Sequence, residues 1–321
     1  MRASTSKRPI GKRLLYYGAT VLLLALVTEV VLRIGWAEQL RPWNNELNTA
    51  YHFHGLFGWH PTPRFEGELA GSTRYSVRHN SLGFRDRELD PKQGPRLLVL
   101  GDSFVYGYDV NEGERFTDLL ADQLPNWEII NLGVSGYGPA QEYLLLQHYF
   151  EQYKPDVVFQ LFEYGNDASN SSSNMAVGGY YRPYFTQQTT GLRLEGVPVP
   201  KGIRYYQAQY PTVFSCYLVR ALFLGWIQLT NPRVELEQAP TSPVIAKTRQ
   251  FVEQQGANYL LGFTGTDDQQ SELTFCVQQN LPCVLLTSNK RYPNFGQHWT
   301  AAGHAEVAQQ LLNFLQEQNI Q

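Results

Sequence analysis

The sequence predicts an α/β fold in which a parallel sheet carries helices on both faces, preceded by one membrane-spanning helix. Short apolar runs that end in glycine or loop residues alternate with segments of helical periodicity. A 21-residue apolar run, residues 14–34, follows a basic N-terminus. With 321 residues, of which 43% are hydrophobic and 17% charged, the chain has an ordinary globular composition.

Five strand–helix repeats give this fold class. The apolar runs RLLVLG, WEIINLG, DVVFQLF, NYLLGF and PCVLLT are typical of buried parallel strands, since they are short and lack polar alternation. Helical spacing follows each of them, at 116–124, 139–153, 244–255, 269–279 and 301–317. The 244–255 helix comes before NYLLGF, after a stretch of irregular sequence.

Two segments lack clear periodicity. Residues 35–94 form a lead-in of irregular but ordered sequence, with short strands expected near 75–77. Residues 168–242 interrupt the repeats as an irregular insertion. Within it, the apolar stretch 214–229 is a helix candidate too short to span a bilayer. We expect this helix to pack on the predicted α/β domain, which covers residues 95–321, or to form part of the rim of a substrate site.

The N-terminus predicts a membrane anchor. Five basic residues and no acid precede the apolar run: Arg2, Lys7, Arg8, Lys12 and Arg13. This flank should stay in the cytoplasm as a tail of residues 1–13, which places the remainder outside the inner or plasma membrane, in the periplasm. Glu29 and Arg33 lie four residues apart near the outer end and can pair. A cleaved signal peptide and a buried core helix are the alternatives.

Composition also limits the partners. A formal net charge of -3 and the lack of a basic stripe beyond the N-terminus argue against nucleic acid. No phosphate-binding glycine loop is present, so we expect no nucleotide cofactor.

The three cysteines lack metal-ligand spacing, and no metal is expected. We interpret Cys216, Cys276 and Cys283 as buried small side chains, and a Cys276–Cys283 bridge remains open. Protein partners are not predicted.

Three loops at the carboxyl ends of predicted strands carry groups suited to acyl transfer. Ser103 follows the first strand, where a helix N-terminus favours negative charge near its N–H. Gly133 and Gly136 follow the second strand, and a glycine there can offer its N–H to a bound oxygen. Asn166 follows the third strand and has a side-chain amide. Each feature alone is common in loops, but in open parallel sheets these ends form the ligand crevice.

A histidine near the C-terminus completes this set. His298 precedes the last helix, and a loop there can fold back so that the imidazole reaches a serine hydroxyl. His304 is the competitor, but it lies one turn inside the helix and is expected to be structural.

Taken together, GDSF, NLGVSGYG, GND and HWTAAGH resemble the four blocks of the SGNH/GDSL hydrolase superfamily, in family order. The resemblance implies a three-layer α/β/α, flavodoxin-like domain. It implies Ser103 as nucleophile and His298 as base, with an oxyanion hole formed by Ser103, Gly136 and Asn166. Gly133 is the second choice for the glycine, because the family glycine follows a serine. The segment RHNSLGFRDRE also resembles the lead-in of membrane-anchored bacterial members.

One family feature is missing. The family usually has an aspartate two or three residues before the histidine, where this chain has Gly296 and Phe295. The nearest polar candidate for orienting the imidazole is Asn294. Three explanations are open: a dyad oriented by a backbone carbonyl, a carboxylate from elsewhere, or a decayed site. The dyad is the preferred expectation.

The resemblance implies a membrane-anchored serine esterase or O-acyltransferase. Its expected substrate is an ester, for example an O-acetyl group, of a cell-envelope carbohydrate or lipid. A decayed domain that binds glycan or lipid is the first alternative, and a membrane scaffold is the second.

Overall fold

The computed structural model describes residues 10–40, 50–175, 179–264, 270–293 and 295–320. These residues fall into two compact units. The first unit combines the N-terminal helix with residues 202–232. The second unit contains the sheet, the segment before it and the rest of the chain.

The helices and strands are numbered here in chain order. They are α1 (Ile10–Gly35), β1 (Tyr51–His54), β2 (Gly58–Pro61), β3 (Glu66–Ala70), β4 (Arg74–Arg78), β5 (Arg96–Gly101), α2 (Ser103–Tyr106), α3 (Phe116–Gln123), β6 (Glu128–Gly133), α4 (Pro139–Tyr153), β7 (Val157–Glu163), α5 (Asp167–Ser171), β8 (Tyr184–Gln188), β9 (Gly191–Glu195), α6 (Ile203–Gln209), α7 (Tyr217–Thr230), α8 (Thr241–Gln254), β10 (Asn258–Thr264), α9 (Gln270–Gln278), β11 (Cys283–Leu286) and α10 (Ala301–Glu317), with short 3-10 helices at Val213–Ser215 and Phe295–Gln297.

The central sheet of the second unit confirms the predicted fold class. Its five strands run parallel in the order β11-β10-β7-β5-β6. Numbered within the sheet, this is the 2-1-3-4-5 order of flavodoxin-like folds. Gly101 pairs with Gly133, so β5 and β6 end level. Their carboxyl ends therefore open onto one edge of the sheet.

Alternating residues of the central strands face two separate cores. Leu98 and Leu100 of β5 belong to a cluster with α4 and α8. Leu97 and Val99 belong to a second cluster with α3 and α10. Each buried aliphatic side chain contributes about 1.5–3 kcal/mol relative to exposure. Helix layers on both faces explain why the strands read as unbroken apolar runs.

The lead-in contains more regular structure than expected. Strands β1 and β2 form one antiparallel hairpin, and β3 and β4 form another. β4 includes the strand predicted near 75–77. The aromatic side chains of Phe57, Trp59 and Tyr75 are buried in the first cluster, together with those of α4. The lead-in therefore packs as part of the second unit.

The insertion at 168–242 is also more regular than predicted. It contains the antiparallel hairpin β8–β9 and helices α6 and α7. The apolar stretch 214–229 is helical as predicted, with α7 beginning at Tyr217.

The cysteine interpretation needs a correction. Cys276 of α9 and Cys283 of β11 form a disulfide. The six residues between them turn the chain back so that the helix end and the strand start meet. Cys216 is a free thiol and is only partly buried.

The first unit contains the predicted span. α1 has 26 residues, none of them buried, and is long and apolar enough to cross a membrane. The 14–34 run lies within it. Near its end, Arg33 Nε lies 2.7 Å from Glu29 Oε1, as the four-residue spacing predicts.

Candidate active site

Ser103 lies where β5 turns sharply into the short helix α2. The Asp102 side chain caps this helix by accepting the Phe104 N–H at 2.9 Å. Gly107 ends it in the left-handed conformation, at φ +76°. A cap at each end fixes a four-residue helix that would be unstable alone. The Ser103 side chain is therefore held at the sheet edge, and the residue keeps 6% of its surface exposed.

The predicted pair of Ser103 and His298 is brought together. His298 Nε2 lies 2.9 Å from Ser103 Oγ, although 195 residues separate them. On the other side of the ring, Nδ1 lies 3.2 Å from Asp109 Oδ2. The three side chains form a serine–histidine–aspartate relay. Phe104 and Tyr108 pack around the imidazole, with ring centroids 5.3 and 4.8 Å away.

Asp109 is a candidate site residue that the sequence analysis missed. Burial alone would raise the pKa of this carboxyl. Hydrogen bonds from His298 and from the N–H groups of Thr73 and Ser72, together with the charge interaction with His298, instead hold its pKa below the usual value. An ionised Asp109 accepts the Nδ1–H, which leaves Nε2 unprotonated and able to accept the Ser103 proton.

The lead-in fixes the position of Asp109. The Ser72 N–H donates to Oδ1 at 2.6 Å, and the Thr73 hydroxyl donates to the Asp109 carbonyl at 3.1 Å. Arg85 is fully buried and donates to the carbonyls of Gly107 and Val110 on both sides of Asp109, at 2.5 and 2.7 Å. Arg85 belongs to the RHNSLGFRDRE segment, so that segment has a structural role at the site.

The region where the family aspartate was expected has a different role. Gly296 has φ +77°, and a Cβ there would lie 2.4 Å from His298 Cε1. A side chain at this position would therefore collide with the imidazole. Asn294, the predicted orienting candidate, lies outside the described residues. The preferred expectation of a dyad is wrong, because a carboxylate from elsewhere in the chain, Asp109, contacts Nδ1.

Asn166, the predicted third donor of the oxyanion hole, contacts Asp102, the residue before Ser103. Its Nδ2 donates to Asp102 Oδ2 at 2.9 Å, and its Oδ1 accepts from Asn170 Nδ2 at 3.2 Å. Asp102 Oδ2 is also 3.3 Å from Ser103 Oγ. The two side-chain bonds orient the amide, and Nδ2 has a second hydrogen that can point toward a ligand.

Of the two candidate glycines, the geometry favours Gly136. The Gly133 N–H donates to Asn131 Oδ1 at 2.9 Å, and a Cβ on Gly133 would lie 2.2 Å from the Tyr106 nitrogen. Gly133 therefore serves close packing of β6 against α2. Gly136 has φ +79°, the left-handed region that favours glycine, in the loop before α4.

Trp59 of β2 holds the loop around Gly136. Its Nε1 donates to the Ser135 carbonyl at 3.1 Å, and the Tyr137 hydroxyl donates to the Trp59 carbonyl at 2.5 Å. Its ring lies 3.4 Å from where a Gly136 Cβ would be. No sequence signal pointed to this residue, since it lies 76 residues before Ser135.

His304, the competing histidine, does not contact Ser103. It is buried, its Nδ1 accepts the Phe116 N–H at 3.2 Å, and its ring stacks on Phe116. Burial lowers the pKa of His304 to about 3. This neutral, packed imidazole matches the structural role expected from its place in α10.

Buried carboxyl groups surround the base of the site. Burial raises the pKa of Asp102, and burial together with the charge of Asp102 raises the pKa of Glu163 to about 7. Glu163 Oε2 accepts the Asn166 N–H at 2.7 Å, and the Glu163 N–H donates to Asp167 Oδ2 at 2.7 Å. These bonds shape the turn that presents Asn166.

No family model and no curated protein matches the chain. Among solved structures, it is similar to a lipolytic protein of the G-D-S-L family from Desulfitobacterium hafniense, with 13% identity, a TM-score of 0.40, and coverage of 69% of this chain and 100% of the other. It is similar to a G-D-S-L lipolytic protein from Veillonella parvula, with 10% identity, a TM-score of 0.40, and coverage of 68% and 97%. A lipase/acylhydrolase from Enterococcus faecalis gives 12% identity, a TM-score of 0.38, and coverage of 70% and 96%.

Proposed function

We propose that the protein is a membrane-anchored serine hydrolase or acyltransferase that cleaves an ester through a covalent acyl-enzyme. One observation carries the proposal: Ser103 Oγ, the His298 ring and Asp109 lie in line, with contacts of 2.9 and 3.2 Å. A nucleophile, a base and an acid that orients the base together suit this chemistry.

In the proposed mechanism, His298 Nε2 takes the Ser103 proton while Oγ bonds to the ester carbonyl carbon. The oxyanion accepts hydrogen bonds from the N–H groups of Ser103 and Gly136 and from the Asn166 amide. Collapse of the intermediate breaks the ester C–O bond, and the protonated His298 gives its proton to the leaving alkoxide. Water, or the hydroxyl of an acceptor, then removes the acyl group by the same steps.

We infer a short acyl group, such as acetyl, from the restricted access to the site. Ser103 and His298 keep only 6% and 4% of their surfaces exposed. An acetyl group needs little room beside this buried serine. The acceptor side, a cell-envelope carbohydrate or lipid, follows from the proposed location of the domain.

We propose that α1 is retained as an anchor and that the second unit lies in the periplasm. The basic residues before α1 favour a cytoplasmic N-terminus. The Cys276–Cys283 disulfide supports an oxidising compartment for the second unit.

The test uses the full chain in detergent, a short-chain aryl ester and a fluorophosphonate probe. Ser103→Ala should abolish labelling, and Ser103→Ala and His298→Ala should each lower turnover by about 10³-fold or more. Ser81→Ala and His52→Ala are matched controls, because Ser81 bonds to Glu88 at the surface and His52 is exposed. Equal turnover in the wild type and in all four variants would exclude the proposed mechanism.

A further inference from the structure

The helix α7 in the first unit has an apolar surface that none of the described residues covers. Of its 14 residues, only Arg220 and Ile227 are buried. Leu222, Trp226 and Leu229 follow one face at helical spacing and are 68%, 50% and 86% exposed. Such a helix is unfavourable in water, because large apolar side chains remain hydrated.

The N-terminus of α7 is bound to α1. Glu29 accepts the N–H groups of Tyr217 and Leu218 at 3.0 and 2.8 Å. Arg33 donates to the Ser215 carbonyl at 3.0 Å while it pairs with Glu29 at 2.7 Å. The start of α7 is therefore fixed to the last two turns of the membrane-spanning helix.

These bonds have a physical reason if α7 starts inside the bilayer. Free N–H groups at a helix end can bind water, but in hydrocarbon they need a protein acceptor. Glu29 belongs to the apolar run 14–34 and supplies that acceptor. Its charge is balanced by Arg33, as buried charges near a membrane require.

We propose that α7 lies in the lipid bilayer beside α1, so that two helices rather than one hold the protein at the membrane. At about 1.5 Å per residue, 14 residues extend about 21 Å, enough for one leaflet and not for a crossing. Lipid is favoured over a protein partner because the large exposed side chains of α7 are apolar, and its exposed polar residues, Gln228 and Thr230, are confined to the C-terminal end. The proposal rests on the anchoring role of α1 and is independent of the ester chemistry.

The test places spin labels on the full chain in nanodiscs of phosphatidylcholine and phosphatidylglycerol. Leu222→Cys and Leu229→Cys are made in a Cys216→Ser background, since serine can still donate to Glu29. Val21→Cys in α1 is the reference for lipid. Gln188→Cys, on the exposed end of β8, is the reference for water. Power saturation then compares collisions with oxygen, which enters lipid, and with a nickel chelate, which stays in water.

Labels at 222 and 229 should show an oxygen-to-nickel collision ratio close to that at 21 and well above that at 188. A ratio equal to that at 188 would mean that α7 lies in water and would overturn the proposal. Exclusion of both agents from an immobilised label would mean that a protein covers α7, which also overturns it. A water-like ratio at 21 would instead refute the anchor itself, whatever the outcome of the esterase assay.

Discussion

At the scale of single residues, Asp109 combines deep burial with a full set of hydrogen-bond partners. Its side chain has no exposed surface, so an unpaired carboxylate would be costly there. The backbone N–H groups of Ser72 and Thr73 bind Oδ1, and the His298 ring binds Oδ2. The residue also has φ +69°, a conformation that asparagine and aspartate tolerate better than most side chains.

We expect Asp109→Asn to lower turnover by about 10²–10⁴-fold with little change in folding. The amide has nearly the same shape but can present its NH₂ to Nδ1, which favours the wrong imidazole tautomer for accepting the Ser103 proton. Hydrolysis of an aryl ester measures the loss. Glu112→Gln is the matched control, since Glu112 pairs with Arg78 at the surface. Unchanged turnover in Asp109→Asn would show that the carboxylate does not orient the base.

At the scale of secondary-structure elements, α4 packs on the sheet through a buried polar contact. Glu142 of α4 accepts from Gln160 Nε2 of β7 at 2.5 Å, and Gln160 Oε1 accepts from the Tyr259 hydroxyl of β10 at 2.5 Å. Glu142 is completely buried. Burial is the main cause that raises the pKa of Glu142 to about 8, with a further contribution from the charge of Asp102.

This contact predicts a pH dependence of stability. Between the unfolded pKa of about 4.3 and the folded value of about 8, the native state keeps a proton that the unfolded state has released. The free energy of unfolding should therefore fall as pH rises through this range. Glu142→Gln removes this effect, because glutamine stays neutral and can still accept from Gln160.

We expect Glu142→Gln to be more stable than the wild type at pH 8 by about 1–3 kcal/mol, with a smaller difference at pH 5. Thermal unfolding of the full chain in detergent at the two pH values measures this difference. Glu151→Gln, an exposed change on the same helix, should leave the wild-type pH profile intact. A variant whose stability falls with pH as steeply as that of the wild type would contradict the proposed cause.

The burial of each secondary-structure element explains whether the sequence predicts it. The sequence predicts β5, α4 and α10 with the bounds that the structure has. A strand that is buried on both faces has a continuous apolar run, and a helix that is buried along one stripe has apolar residues at helical spacing. The strands of the lead-in and β8–β9 are short hairpins of mixed polarity, and their patterns are weak. Their pairing depends on contacts with distant elements, which local sequence does not record.

At the scale of the whole molecule, the site depends on contacts between residues far apart in sequence. Motif order predicted the meeting of Ser103 and His298, because parallel strands bring their carboxyl ends to one edge. No local pattern pointed to Asp109, which reaches His298 across 189 residues. Asp109 lies six residues after the serine, beyond the helix end at Gly107, and neither fact predicts its contact with the imidazole.

The lead-in also connects to the loop that carries Gly136. Trp59 donates to the Ser135 carbonyl, while Gln141 at the start of α4 donates to the Phe57 carbonyl at 2.7 Å. The hairpin β1–β2 thus holds both ends of this loop. If the Gly136 N–H stabilises the oxyanion, the lead-in acts on catalysis without touching the substrate.

Trp59→Phe keeps an aromatic ring but loses the donor to Ser135. We expect turnover to fall by about tenfold while KM stays nearly constant. The loss is smaller than the 10²–10³-fold that follows complete removal of an oxyanion donor, because the Gly136 N–H is displaced and not removed. Steady-state kinetics on the aryl ester separates the two constants, and Trp127→Phe, in the loop before β6, controls for loss of an indole. A rise in KM at constant turnover would mean that Trp59 contacts the substrate instead. Unchanged constants would mean that the Trp59 contact does not act on catalysis, because a displaced Gly136 N–H must weaken the transition state more than the ground state.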